Sequence, residues 1–137
     1  MKRIYALIGF LILAALPLGC AHSHHESTTP KATLSGTVTF PGKIPDDASL
    51  AVFLVENTLL TGTVDVLAND ILNFSKGSPV PFTITFNPAE VESDNRYSLV
   101  ARVTDPQGMV LLKSNGYMVL TRGSPTNNVN ITMTPVR

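Results

Sequence analysis

The chain has no tryptophan, one cysteine and three histidines in 137 residues, and this scarcity limits its chemistry. The cysteine is Cys20 and the histidines are His22, His24 and His25, so neither residue type occurs after position 25. An intrachain disulfide is excluded, because it takes two cysteines. Histidine-assisted nucleophiles and zinc sites with the usual ligands are excluded for everything that follows. We therefore predict that the folded part is not an enzyme and holds no metal or cofactor.

Charge is sparse as well, at 15% of the residues, with ten basic and ten acidic side chains. Removal of a leader that contains Lys2 and Arg3 leaves eight basic against ten acidic residues. Nucleic acids and anionic bilayers call for clustered positive charge. No glycine-rich phosphate loop follows a strand and opens a helix. We predict no nucleic-acid partner and no small-molecule substrate.

The N-terminus is typical of an export signal. Lys2 and Arg3 precede an apolar run of 15 residues, positions 4–18. A bilayer-spanning helix takes roughly 20 apolar residues. A charged start, a shorter apolar run and a small residue are the features of a secretory signal peptide. We assign residues 1–19 to it and expect the chain to be exported.

The end of this signal, LPLGC at positions 16–20, resembles the bacterial lipoprotein signal. Pro17 departs from that pattern, which usually has an aliphatic residue there. The resemblance implies a diacylglyceryl group on Cys20, removal of residues 1–19 and two or three acyl chains, enough for stable anchoring. Ala21 is not the Asp that retains enteric lipoproteins at the inner membrane, which implies the periplasmic leaflet of the outer membrane. The alternative is a free cysteine that ends an uncleaved anchor.

Residues 20–32 are predicted to form a lipidated flexible tether. The segment is polar, and a flexible chain of this length reaches of the order of 20 Å. A sulfur committed to a thioether cannot act as a thiolate, so Cys20 is not expected to be a metal or redox ligand. Imidazoles at His22, His24 and His25 are candidate metal ligands. We expect a hydrophilic spacer and keep metal binding by these histidines as the alternative.

Residues 33–137 follow a period of two, which is typical of β-strands. Turn signals separate the runs, and Asn115-Gly116 predicts a tight hairpin. The predicted topology is one immunoglobulin-like, two-sheet antiparallel β-sandwich of about seven strands. Residues 61–74 are interpreted as strand and extended loop, with a short helix as the alternative. The runs are TLSGTVTF (33–40), SLAVFLVE (49–56), PFTITF (81–86), RYSLVARV (96–103), MVLLKS (109–114), YMVLT (117–121) and NVNITMTPV (128–136).

Two polar features of this region are assigned to structure. Glu90, Glu92 and Asp94 lie close together after Pro88, and paired carboxylates of this kind serve as acids and bases in some enzymes. Asp and Asn beside Pro are also common turn formers, so we predict a solvated turn. The tyrosines at positions 97 and 117 are predicted to pack within the sheet.

The segments 34–56, 79–103 and 108–115 together resemble the YscW/YbaY-type lipoprotein family. The resemblance covers nearly the whole domain in order, and it implies a small, non-enzymatic β-sandwich tethered to the outer membrane. Some members are pilotins, lipoprotein chaperones that help secretin subunits of type III secretion systems to assemble there. No partner-binding residue follows from it. The matching features are Gly36 and Val38, Ile44-Pro45 with Asp47-Ala48, Val52 and Leu54, Pro81-Phe82, residues 87–91, and Tyr97 with Ala101.

Two functions follow from these expectations. The first is a protein-binding module, held on the membrane by its lipid, whose partner is an envelope protein such as a secretin subunit. A partner segment would add to a strand edge or lie on a sheet face. The second is an accessory role in envelope stress or metal handling that uses the histidines of the tether.

Overall fold

The computed structural model describes residues 29–57, 64–121 and 124–136, which fold into strands and a single turn of 3-10 helix. Every predicted apolar run falls on a strand, so the all-β prediction is confirmed. The described residues form eight strands in place of the expected seven or so. The elements are β1 (Ala32–Thr39), β2 (Ser49–Asn57), β3 (Val64–Leu72), β4 (Val80–Phe86), the 3-10 helix (Pro88–Glu90), β5 (Arg96–Thr104), β6 (Val110–Ser114), β7 (Tyr117–Val119) and β8 (Val129–Pro135).

The core is built by the alternation of side chains along the strands. In β4 the apolar side chains are buried, whereas the intervening Pro81, Thr83 and Thr85 are exposed. Each large apolar side chain that is fully buried stabilises the fold by roughly 1.5–3 kcal/mol before the entropy of ordering is counted. The largest fully buried side chains are Leu34, Val38, Leu50, Val52, Leu54, Ile84, Tyr97, Leu99, Val103, Val119, Ile131 and Met133.

The strands follow one pairing path, β3-β2-β5-β6-β8-β1-β4, with β7 also paired to β5. All pairs are antiparallel except β1 and β8. The two ends of the path lie side by side, and the Thr83 amide donates to Oδ2 of Asp70 at 3.4 Å. The result is a nearly closed, barrel-like sheet. The expected two-sheet sandwich is not shown, because the β6–β8 ladder carries the pairing continuously around the core.

The parallel pair of β1 and β8 depends on Gly36. Gly36 lies opposite Val129, and a Cβ added to it would stand 1.9 Å from the Val129 carbonyl oxygen. No side chain fits in that space. A glycine inside a strand often marks such a close approach of another backbone.

The prediction of a tight hairpin at Asn115-Gly116 is wrong. Strands β6 and β7 do not pair with each other; they follow one another along the same edge of β5. The tight turn would need positive φ at both residues, and neither has it. The interruption between the two strands is bridged by Ser114, whose buried Oγ accepts from the Ala101 amide at 2.8 Å. The β5–β6 hairpin turns instead at residues 105–109, where Gly108 has φ +86.

The ambiguous stretch 61–74 contains strand β3, Val64–Leu72, and residues 61–63 lie outside the described ranges. The strand interpretation is confirmed over the helix for the part that the structure describes. A register shift opposite Leu54 and Val55 marks a β-bulge in this strand. Bulges of this kind raise the local twist of a sheet.

Candidate functional site

The outward face of β3, β2 and β5 holds an open groove of about 390 Å³. Its floor is apolar and consists of Val66 from β3, Phe53 and Val55 from β2, and Val100 from β5. Among the described residues that line it, Arg102 is the only charged one. An apolar depression with one charged group is the usual chemistry of a binding site.

The strand register explains why these side chains meet. Val55 lies opposite Val66 on one side and Ser98 on the other, and Phe53 lies opposite Val100. Residues directly opposite each other in antiparallel strands point to the same face. The β2 residues between them point into the core. On the outward row Val55 is 8% exposed and Phe53 is half-buried, so β2 forms the bottom of the groove.

The β3 side of the groove is unusually exposed for aliphatic side chains. Val64 is 60% and Val66 is 57% exposed, and both lie on β3. Met118 on β7, which is 51% exposed, extends the apolar surface beyond β5 because it lies opposite Ser98. Contiguous exposed apolar surface marks interaction sites more often than isolated side chains do.

Arg102 is held over the groove by an aromatic contact. Its guanidinium carbon lies 5.9 Å from the centre of the Phe53 ring. An attraction between a cation and an aromatic face is worth about 0.5–1 kcal/mol at an exposed site. The contact orders the side chain, and no other side chain in the described ranges accepts a hydrogen bond from its nitrogen atoms.

A polar cluster supports β2 and β5 next to the groove. The side-chain amide of Asn95 donates to Oε1 of Glu56 and, at 3.2 Å, to Oε2 of Glu92. The buried Tyr97 hydroxyl accepts from the Glu92 amide at 2.7 Å. Burial raises the pKa of Tyr97, and the nearby Glu56 carboxylate acts in the same direction, while the hydrogen bond from Glu92 opposes it. The cluster joins the loop after β4 to the strands that carry the groove.

The lipidation candidate Cys20 and the metal candidates His22, His24 and His25 lie outside the described residues, so both stay predictions. Within the described ranges no group of three or more His, Cys, Asp or Glu side chains is placed to hold a metal ion. The same ranges contain no helix with the length and apolar character that crossing a membrane requires.

The other residues considered from the sequence take structural positions. Glu90, Glu92 and Asp94 are exposed in the 3-10 helix and the turn after it, as predicted for a solvated turn. Tyr97 is buried in the core, and the Tyr117 hydroxyl accepts from the Thr132 amide at 3.0 Å. Both tyrosines therefore pack within the sheet as predicted.

The groove itself was not identified from the sequence. Its signal was the unbroken apolar run of β2, SLAVFLVEN, which has no alternation. Such a run normally means that a strand is buried on both faces. Here no second layer covers the outer face among the described residues, so the outward apolar side chains form a surface.

Comparison with known proteins agrees with this fold. The chain is 27% identical over 157 aligned positions to an uncharacterised lipoprotein, YbaY, of Escherichia coli strain K12, and the match covers all of this chain and 81% of the relative. Its structure resembles that of an alternative pilotin from the type II secretion system of Vibrio cholerae, with a TM-score of 0.68 at 21% identity. That match covers 79% of this chain and 99% of the pilotin, and it concerns the fold alone.

A family model gives the most direct assignment. The model described as type III secretion system lipoprotein chaperone (YscW) matches residues 29–132, which is well over half of the chain. The family consists of chaperones, which agrees with the prediction that the chain is not an enzyme. The same membership confirms the resemblance noted in the sequence and implies membrane anchoring. The chain belongs to the YscW family of secretion-system lipoprotein chaperones.

Proposed function

We propose that this chain is an outer-membrane lipoprotein, anchored through Cys20, that binds a segment of a secretin subunit and assists its assembly in the outer membrane. The observation that carries the proposal is the exposed apolar groove on the outer face of β3, β2 and β5. Membership of the chaperone family supports a secretion-system partner. The lipoprotein signal at residues 16–20 supports the anchor.

Binding on the sheet face is favoured over addition to a strand edge. The free sides of β3 and β4 face each other, and Asp70 already accepts from the Thr83 amide across the gap. The two ends of the pairing path therefore cover each other in part, and β7, which among the described residues pairs only with β5, offers an edge of just three residues. The outer face offers exposed apolar side chains, among them Val64 and Val66.

The dimensions of the groove fit one amphipathic helix. Two strand spacings of ~4.8 Å separate β3 from β5 by ~10 Å, and the β2 segment from Ala51 to Asn57 is ~20 Å long. An α-helix is ~10 Å across and covers ~20 Å in ~13 residues. Helix-in-groove recognition uses one apolar stripe, which matches a floor of valine and phenylalanine side chains. A small molecule would leave most of this open surface exposed.

The test is crosslinking in intact cells from the centre of the groove. A photo-crosslinking residue in place of Val66 is compared with the same residue in place of Val136, which is also exposed but lies outside the groove. We expect a secretin subunit to be captured at position 66 and not at position 136. Mass spectrometry identifies the product.

A functional variant completes the experiment. Val66→Asp places a charge on the groove floor without touching the core, and Val136→Asp is the matched control. We expect less secretin in the outer membrane with the first variant and a normal amount with the second. Equal amounts of secretin in the outer membrane with both variants, together with no capture at position 66, would show that the groove does not bind this partner.

A further inference from the structure

Basic side chains are concentrated on the face that carries the groove. The described residues include six basic and nine acidic side chains. Three of the six basic residues, Arg96, Arg102 and Lys113, belong to outward positions of β5 and β6. The outward positions of β2, β3, β5, β6 and β7 carry none of the nine acidic residues. A domain with more acidic than basic residues thus presents a positive apolar face.

Two of these cations stand directly opposite each other. Arg102 on β5 pairs with Lys113 on β6, and both are exposed on the same face. Like charges at directly opposed positions destabilise a sheet. The same cross-strand row continues to Ala51 on β2 and Ile71 on β3, neither of which has a charge to offset them. Local rules are broken in this way most often at functional sites.

The pair lies at one end of the groove. Arg102 lines the groove and leans toward β2 through its contact with the Phe53 ring, while Lys113 lies at the cross-strand position on β6, the other neighbour of β5. A carboxylate between the two cations would accept from the guanidinium fork and from the ammonium group together. Hydrogen bonds in which both partners are charged are about twice as strong as neutral ones.

We infer that Arg102 and Lys113 form a carboxylate-binding pair, which selects an amphipathic segment with an acidic side chain beside its apolar stripe. This inference rests on the proposed function, because the groove must first hold the segment. The apolar floor provides contact area for the segment. The cationic pair fixes the position of the segment along the groove and discriminates between partners. An apolar segment without the acidic side chain would leave two opposed cations uncompensated.

The first test measures peptide binding to the exported, unlipidated Cys20→Ser protein by fluorescence anisotropy. The probes are peptides of about 20 residues, long enough for a helix that spans the groove, that tile the secretin subunit of the same genome. Both ends are capped, so terminal charges do not contribute. Each peptide that binds is remade with its Asp and Glu replaced by Asn and Gln. We expect this change to weaken binding about tenfold at low salt.

The variants assign that loss to the pair. Arg102→Gln and Lys113→Gln are each expected to bind the acidic and the amide peptide with nearly equal affinity. Lys76→Gln, which removes an exposed lysine outside the face, is expected to keep the full preference. Equal binding of both peptides by the wild type, or a preference that survives in both variants, would overturn the carboxylate pair while leaving groove binding intact. Failure of every peptide to bind would overturn the groove and the pair together.

A second readout separates a binding role from a structural one. Removal of one of two like charges at directly opposed strand positions is expected to raise the melting temperature of the free Lys113→Gln protein by about 1–4 °C at low salt. The Lys76→Gln control is expected to leave it unchanged. A variant that is more stable alone and yet binds the acidic peptide more weakly is what the carboxylate pair requires. A lower melting temperature for Lys113→Gln would contradict the like-charge pairing of Arg102 and Lys113 on which the inference depends.

Discussion

The Tyr97 hydroxyl donates a hydrogen bond to Oε1 of Glu56 on the neighbouring strand, with 3.3 Å between the two oxygens. The two residues are also register partners in the β2–β5 ladder. The hydroxyl accepts a bond from the Glu92 amide at the same time, so one buried phenol joins two strands and the loop after the 3-10 helix. This linkage fixes the strand ends that carry Asn57 and Ser98 in the groove.

Replacement of that hydroxyl is expected to destabilise the fold. Tyr97→Phe removes one bond to Glu56 and one from the Glu92 amide, so we expect a loss of about 1–2 kcal/mol in the free energy of unfolding. Tyr117→Phe is the matched control, because its hydroxyl makes an exposed hydrogen bond, accepted from the Thr132 amide, and no other within the described residues. A loss of about 0.5–1 kcal/mol is expected. Urea denaturation followed by circular dichroism measures both. Equal losses in the two variants would contradict the special role of Tyr97.

Alkaline pH is expected to weaken the fold through the same residue. The pKa of Tyr97 is raised above 10.0 in the folded state, chiefly by burial. Above pH 10.0 the unfolded chain therefore releases the phenol proton first, and stability falls as pH rises toward the folded-state pKa. Urea midpoints on either side of pH 10.0 test this. Tyr97→Phe is expected to show a shallower decline, and an identical slope in the two proteins would remove Tyr97 as the cause.

The buried serine at the end of β6 offers a second test of the sheet. Ser114 accepts from the Ala101 amide and donates to the Asn115 carbonyl, both at 2.8 Å. Ser114→Ala leaves the Ala101 amide without this partner, which costs about 1–3 kcal/mol. Thr134→Ala, on the exposed side of β8, is expected to change the unfolding free energy by less than about 0.5 kcal/mol. Similar stability of both variants would show that another group satisfies the amide.

The close contact of β1 and β8 predicts a severe effect at one glycine. Gly36→Ala places a methyl group 1.9 Å from the Val129 carbonyl oxygen, so the parallel pair must separate. We expect a loss of about 3 kcal/mol or more in the free energy of unfolding. Gly116→Ala is the control, because its new Cβ would meet Ser98 at an ordinary 3.4 Å. A folded Gly36→Ala protein with wild-type stability would exclude the observed β1–β8 spacing.

The membrane anchor is tested by fractionation. Cys20→Ser removes the predicted lipidation site, and the protein is expected to appear in the soluble fraction of the envelope, because two or more acyl chains are needed for stable anchoring. Ala21→Asp keeps the cysteine and is expected to leave the protein lipidated but at the inner membrane. Intact-mass spectrometry reports the acyl groups, and a density gradient separates the membranes. A wild-type protein whose mass includes residues 1–19 and no acyl group would support an uncleaved anchor.

Strand positions were predictable because the alternation of side chains is a local property. The runs at 33–40 and 81–86 alternate strictly, and β1 and β4 fall within one residue of them. Which strands pair with each other was harder to predict from the sequence. Asn115-Gly116 has the composition of a hairpin turn, but β5 offers an edge to both flanking strands, so the chain continues along it.

The location of the candidate site was even harder to predict, because it depends on the pairing of three strands. Phe53, Val66 and Val100 lie on three strands, and only the register of those strands places them on one floor. Likewise, nothing local relates Arg102 to Lys113, which are brought together by the β5–β6 hairpin. The chemistry-bearing residues that the sequence did single out, Cys20 and the three histidines, precede the described domain.

By itself the sequence determined an all-β domain, the location of its strands, the inward side chains of most strands and the lack of residues for histidine or cysteine chemistry. These follow from composition and from a two-residue period that each strand carries independently. The tertiary structure alone decided the near closure of the sheet, the groove on the outer face of β3, β2 and β5, and the pairing of two cations at the end of the groove. They depend on contacts between residues far apart in the chain, which the pattern within one strand does not encode.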